Sequence, residues 1–118
     1  MNINELLAKI KQHPDQVEFD QVIECIENHY VYTPGQFTNG QGENKIINAA
    51  GDNEGSCKIF AFSKKNGLDK RQTLACFGRF YREDVLSHPN DSDHANIRTF
   101  MLYGVEGIEL DKNILVAR

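Results

Sequence analysis

Residues 49–62 read AAGDNEGSCKIFAF, and the character of the chain turns over inside that stretch. A polar knot, Asp52-Asn53-Glu54-Gly55-Ser56-Cys57-Lys58, stands at the front of the apolar run Ile59–Phe62. In a helix, Cys57, Phe60 and Ala61 share one face while Ile59 and Phe62 occupy the others. A helix that is apolar nearly all round is buried, so the stretch predicts a central helix beginning at Glu54. A helix start that is buried must satisfy its first N–H groups without water. Asn53 or Ser56 is the expected cap, Glu54 complements the dipole, and Gly55 admits a second backbone. The knot holds more polar groups than a cap requires, which points to a ligand contact as its second use.

Before this helix the chain reads as sheet. HYVYTPGQFTNGQGENKIINAAG, residues 29–51, is rich in β-branched and aromatic residues. Pro34-Gly35, Asn39-Gly40 and Gln41-Gly42 break it with turn signals. Short strands are expected near Tyr30–Thr33 and Lys45–Asn48, with an irregular loop between them that Phe37 anchors to the core. Further upstream, Ile3, Leu6, Leu7 and Ile10 form a helical stripe, which Asn2 and Glu5 cap and His13-Pro14 ends. Phe19, Val22, Ile23 and Ile26 form a second stripe, with Asp15 or Glu18 as its cap.

After the central helix, Asn66-Gly67 supplies a helix stop, and Asp69 with Gln72 forms a capping box for the next helix. That helix is expected to run over about 70–83, with Leu74, Phe77, Gly78, Tyr81 and Val85 inward and Gly78 marking a close contact. SHPNDSD, residues 87–93, is a loop in which Asp91 or Asp93 is the expected cap of the last helix. Ile97, Phe100 and Met101 mark that helix, which stops before Gly104. The tail GIELDKNILVAR, residues 107–118, either adds a strand or lies along the surface. The resulting expectation is a single α+β domain over residues 1–118, small and helix-rich, with about five helices packed around a small sheet.

Composition restricts function. The 118 residues are 25% charged and 40% hydrophobic, with a net charge of −4. No basic stripe exists beyond Lys64-Lys65 and Lys70-Arg71, so nucleic-acid binding is not expected. No window approaches a membrane-spanning length, and MNINELLAKIKQ lacks the apolar region of a secretory signal. Cys25, Cys57 and Cys76 are odd in number and lack paired spacing. They read as reduced thiols in a cytoplasmic protein, with no disulfide framework, metal or cofactor.

Three long runs carry a family resemblance: YTPGQFTNG at 32–40, NAAGDNEGSCKIFAF at 48–62, and TLACFGRFYREDVLSHPNDSDHANIRTFM at 73–101. With GVEGI at 104–108 they resemble the HopJ type III effector protein family over about residues 3–108, leaving 109–118 as a tail. The loop GQGENKI at 40–46 looks longer than the family pattern. The resemblance implies a small helix-rich α/β domain of a kind widespread in bacteria. It carries over no catalytic residue, because no activity is established for the family. Its name also implies delivery into a host cell. Against that reading, the chain has no serine before Ser56, and a helical stripe begins at Ile3.

Three functional expectations follow. The leading one is a cytoplasmic domain that binds an unidentified small molecule or protein, with Asn53, Glu54, Arg82, His94 and Arg98 bordering a pocket walled by Phe37 and Tyr103. The second is the secreted effector. The third is a cysteine-dependent hydrolase or transferase. It needs Cys57 as a thiolate at a helix start, His88 or His94 within reach, and Asp93 or Asn96 as orienter. Burial of Cys57 among Phe60, Phe77 and other apolar side chains is the expectation opposed to that last reading.

Overall fold

The computed structural model describes residues 1–111 and 113–118. Among them are five α-helices, a π-helical segment and five three-residue strands in two antiparallel sheets. None of these helices is long and apolar enough to cross a membrane. Helix α1 (Ile3–Gln12) starts at the expected box. The Glu5 N–H donates to Asn2 Oδ1 at 2.7 Å, and the Asn2 N–H donates to Glu5 Oε1 at 2.9 Å. Its stripe buries Leu6 and Ile10, and a short 3-10 turn over Pro14–Gln16 leads into α2 (Phe19–His29).

The chain then extends into β1 (Tyr30–Tyr32) and β2 (Phe37–Asn39), turns, and returns as β3 (Ile46–Asn48). The expected loop around Phe37 is therefore itself a strand, and it is the central one of a sheet ordered β3-β2-β4. The tail completes both sheets. β4 (Ile108–Leu110) pairs with β2, and β5 (Leu115–Ala117) pairs with β1. These pairings join segments some 70 or more residues apart, a separation to which local periodicity is blind.

Helix α3 (Glu54–Asn66) is the buried centre, with Cys57, Ile59, Phe60, Ala61 and Phe62 all enclosed. The Phe60 ring lies 5.9 Å from that of Phe37, 5.6 Å from Phe77 and 5.0 Å from Phe100. That one side chain thereby joins the sheet, the following helical region and the last helix, at separations typical of favourable aromatic pairs. Gly67, with φ 65°, ends the helix. Asp69 and Gln72 form the expected box at the start of α4 (Lys70–Ala75).

The expected helix over 70–83 does not run through. α4 stops at Ala75, Gly78 takes φ +56°, and the chain resumes as a π-helical segment over Phe80–Val85. The reason is a backbone contact. A Cβ at Gly78 would lie 2.7 Å from the Phe19 nitrogen and 3.3 Å from Glu18 Cα. Gly78 does mark a close approach, but by breaking the helix against the start of α2. Arg82 locks the same junction: its Nη1 donates to the carbonyls of Val17 at 2.8 Å and Pro14 at 3.3 Å. α5 (Ala95–Tyr103) follows the loop and stops at Gly104.

Gly78 and Gly67 both adopt positive φ, yet nothing lies within 4 Å of a Cβ built on Gly67. Gly67→Ala is expected to cost the left-handed penalty alone, about 1–2 kcal/mol. Gly78→Ala adds the clash and is expected to cost clearly more, or to abolish folding. Urea unfolding of both variants tests this, and equal losses would mean that the α2 junction yields freely.

Candidate functional site

One member of the polar knot, Asn53, belongs to a network of four asparagines. Asn48 in β3 is 3% exposed, Asn39 in β2 0% and Asn96 in α5 7%. The Asn48 Oδ1 accepts from Asn53 Nδ2 at 2.8 Å and from Asn96 Nδ2 at 3.0 Å. Asn39 Nδ2 donates to the Asn96 carbonyl at 2.8 Å and to its Oδ1 at 3.1 Å. One side-chain oxygen thus ties the starts of α3 and α5 to the same strand. An unpaired buried polar group costs about 1–3 kcal/mol, and the network pairs every side-chain amide atom of Asn39, Asn48 and Asn96 except Asn39 Oδ1, which has no partner among the described residues.

Because Asn53 is engaged with Asn48, it does not cap α3. It holds φ 50°, ψ 50° and makes no side-chain capping bond. Ser56 likewise provides no cap. At α5 the position expected for Asp91 or Asp93 is taken by His94, with φ 51°, ψ 48° and again no side-chain cap. Asp93 is held instead by Arg98, whose Nη2 donates to its Oδ1 at 2.7 Å; this neighbour keeps the carboxyl below the usual carboxylate range. The first backbone bonds of the two helices are Cys57 N–H to Asn53 O and Arg98 N–H to His94 O. Among the described residues, the N–H groups ahead of them, Glu54 to Ser56 and Ala95 to Ile97, have no side-chain acceptor.

Both helix starts open into one cleft of about 390 Å³. Asn53, Gly55 and Ser56 line it from α3, and His94, Ala95, Asn96 and Ile97 from α5. Phe19, Phe77, Phe80 and Ile46 supply apolar walls. Gly55 is required there by a ring, not by the expected backbone: a Cβ would sit 2.9 Å from the tip of Phe19. A second hollow of about 390 Å³ lies between Gly67–Lys70 and Leu102–Glu106. Its ammonium group, Lys70 Nζ, is already bonded to the Met101 carbonyl at 3.1 Å, and the helix start that lines it, that of α4, is capped by its own Asp69 side chain.

Of the residues expected to border a pocket, the structure brings Asn53 and His94 together in the cleft. Arg82 is drawn to the α2 junction, where Nη2 also reaches Glu18 Oε1 at 3.4 Å. Arg98 folds back on Asp93. Glu54 is exposed at the other side of the helix start, beside Tyr32 and Cys57. Phe37 lies in the core, and Tyr103 accepts from Asn44 Nδ2 at 2.8 Å. Phe19, Ile46 and Phe80 enter the site from elements that the local sequence pattern does not connect to it.

Cys57 is 1% exposed and shares the core cluster with Phe60 and Phe77. Burial pushes its thiol up, against an opposing interaction with the Tyr32 hydroxyl. A raised thiol is protonated at neutral pH and is a poor nucleophile. His94 Nε2 is directed to Asp84 Oδ2 at 3.0 Å, and His88 is exposed. Among the described residues, no three His, Cys, Asp or Glu side chains are grouped to hold a metal.

Cys57 is expected to resist iodoacetamide until the protein unfolds, and rapid alkylation of the native state would reverse that assignment. Asn48→Ala is expected to destabilise by about 1–3 kcal/mol, since it leaves the buried Asn96 amide donor without its acceptor; a loss within the range of a surface substitution would show the network to be dispensable. Alkaline pH gives a third check. Burial pushes the Cys76 thiol from its reference value of 9.0 up to about 12. The unfolded chain therefore releases that proton first, so its stabilising effect is complete below 9.0 and lost as pH rises toward 12. Urea midpoints should fall across that window, and fall less in Cys76→Ala.

The comparisons with known proteins agree with this architecture. A search of curated proteins gives no match. A solved crystal structure, described as that of a protein of unknown function, VPA0580, superposes with a TM-score of 0.94 at 49% identity. The match covers 100% of this chain and 95% of that one. The profile of the HopJ type III effector proteins matches residues 3–115, reaching beyond the expected 108 into the tail. With nearly its whole length matched, the chain belongs to the HopJ type III effector protein family.

Proposed function

We propose that this protein binds a small molecule in the cleft between the starts of α3 and α5, and does so in the cytoplasm. The observation that supports it most is the cleft's construction. An apolar-walled hollow of about 390 Å³ has its polar groups gathered at one end, where two helix starts meet. Ligand sites are typically apolar clefts with a few convergent polar groups. First-turn N–H groups and the helix dipole both favour a hydrogen-bond-accepting or anionic group there. The occupant on this reading has a flat or aliphatic body against Phe19, Phe77 and Phe80 and a carboxylate or phosphate at the helix starts. Cys57 takes no part, and the hydrolase or transferase reading has no thiolate to work with.

The family's name supports a second reading, delivery into a host cell through a type III system. Fusion of about the first 50 residues to a translocation reporter tests it, because such signals lie at the N-terminus. Export in a type III-competent strain would favour the effector reading, and retention would count against it. The two readings concern place and contact, and a cleft ligand is compatible with either.

For the leading reading, phenyl phosphate and benzoate serve as probes in thermal unfolding, with equal chloride as control. Occupancy at about 100 times the dissociation constant adds about 2.7 kcal/mol, which is several degrees for a chain of this size. Ser56→Phe fills the cleft from α3 and should abolish the shift while leaving the fold intact. Shifts equal in both proteins, or none from either probe, would remove the cleft as the site.

A further inference from the structure

One polar side chain in the cleft is held by a neighbour in a defined protonation geometry. His94 stands on the Phe80 ring, centroid to centroid 5.3 Å, and its Nε2 lies 3.0 Å from Asp84 Oδ2. A carboxylate accepts only, so in the neutral imidazole the proton sits on Nε2 and Nδ1 carries the lone pair. Among the described residues Nδ1 has no hydrogen-bond partner, while the side chain lines the cleft. The other charges near the ring are accounted for. Asp93 Oδ2 lies 3.8 Å from the same Nε2, and Asp93 is itself paired with Arg98 at 2.7 Å. On α3 and α2 the facing residues are Asn53, Gly55, Ser56 and Phe19, none of them titratable.

We propose that His94 Nδ1 is the hydrogen-bond acceptor of the cleft and that Asp84 is its positioning residue, so the ligand class is one bearing a hydroxyl or N–H donor. This rests on the cleft reading above and adds a specificity element to it. An acceptor beside the donor-rich helix starts selects a molecule that carries both an acidic group and a protic one, such as a hydroxy acid. A ligand with the acid alone covers Nδ1 without pairing it, and an acceptor desolvated without a partner is what a selective site discriminates against.

The test titrates the full-length protein with benzoate and with the three monohydroxybenzoates by calorimetry at about pH 8. At least one hydroxy isomer is expected to bind about fivefold or more tightly than benzoate, the size of one hydrogen bond. That advantage should vanish in His94→Asn, which tolerates the left-handed backbone. Ring-nitrogen NMR of the free protein supplies a readout that a purely structural role would not move. The native His94 should show the Nε2–H tautomer and Asp84→Ala a mixture. An Nδ1–H tautomer, or hydroxy isomers no better than a benzoate that does bind, would overturn the assignment and leave the cleft reading standing. Absence of binding by all four probes would overturn the cleft reading, and this inference with it.

Discussion

The oxygen of the Asn48 side chain is the point on which this architecture turns. It accepts from Asn53 at 2.8 Å and from Asn96 at 3.0 Å, and so fixes two helix starts against one strand. Asn39 completes the arrangement from β2, bonding both the backbone and the side chain of Asn96. Short, directional bonds inside a dry environment tolerate little displacement, so the relative placement of α3 and α5 is set by chemistry more than by shape. The cleft is the consequence. Two helices brought together by residues at or beside their first turns leave those turns side by side and open. The same engagement removes Asn53 as a cap, so the first turn of α3, whose Gly55 and Ser56 line the cleft, is left without one.

The third wall has a different origin. Phe19 reaches the cleft because the start of α2 is pressed onto Gly78, where no side chain fits. Arg82 then bonds the carbonyls of Val17 and Pro14 and holds that start in place. The break in the helix after Ala75 also turns the segment Phe80–Val85 so that Phe80 meets Phe19, ring centroids 5.0 Å apart. Asp84, on the same segment, meets His94. One glycine conformation therefore decides both the aromatic wall and the partner of the cleft's histidine. The cost of the irregular turn is met by the contacts that it permits, a pattern common where a fold builds a site.

Family membership and the close likeness to a solved structure of unknown function place this chain in a recognisable fold without assigning it a reaction. The chemistry has to be read from the residues themselves. The three cysteines are enclosed and their thiols raised by burial, which makes them core residues. What remains is a hollow lined by two helix starts, with the side chains of Asn53, Ser56, Asn96 and His94 as its polar groups.

By itself the amino-acid sequence determined the helical content and most of its boundaries. The stripes at Ile3–Ile10 and Phe19–Ile26, the boxes at Asn2/Glu5 and Asp69/Gln72, and the stops at Gly67 and Gly104 are local signals with local causes. It also marked the segment 52–58 as carrying more polarity than a helix start needs, and it carried the family motifs. Only the tertiary structure decided the rest. β2 was legible as no more than a loop with an anchor at Phe37, because its partners lie in β3 and the distant β4. The tail's two strands depend on neighbours far away in sequence. The break at Gly78 depends on a backbone that arrives from Phe19, and the use of Asn53 depends on Asn48 and Asn96. Arg82 and Arg98 carry the charge of a binding residue, yet each is taken by a nearer acceptor. A side chain's periodicity reports which face is buried, but an amide or a guanidinium bonds whatever the fold places within about 3 Å of it, and that is a property of three-dimensional proximity alone.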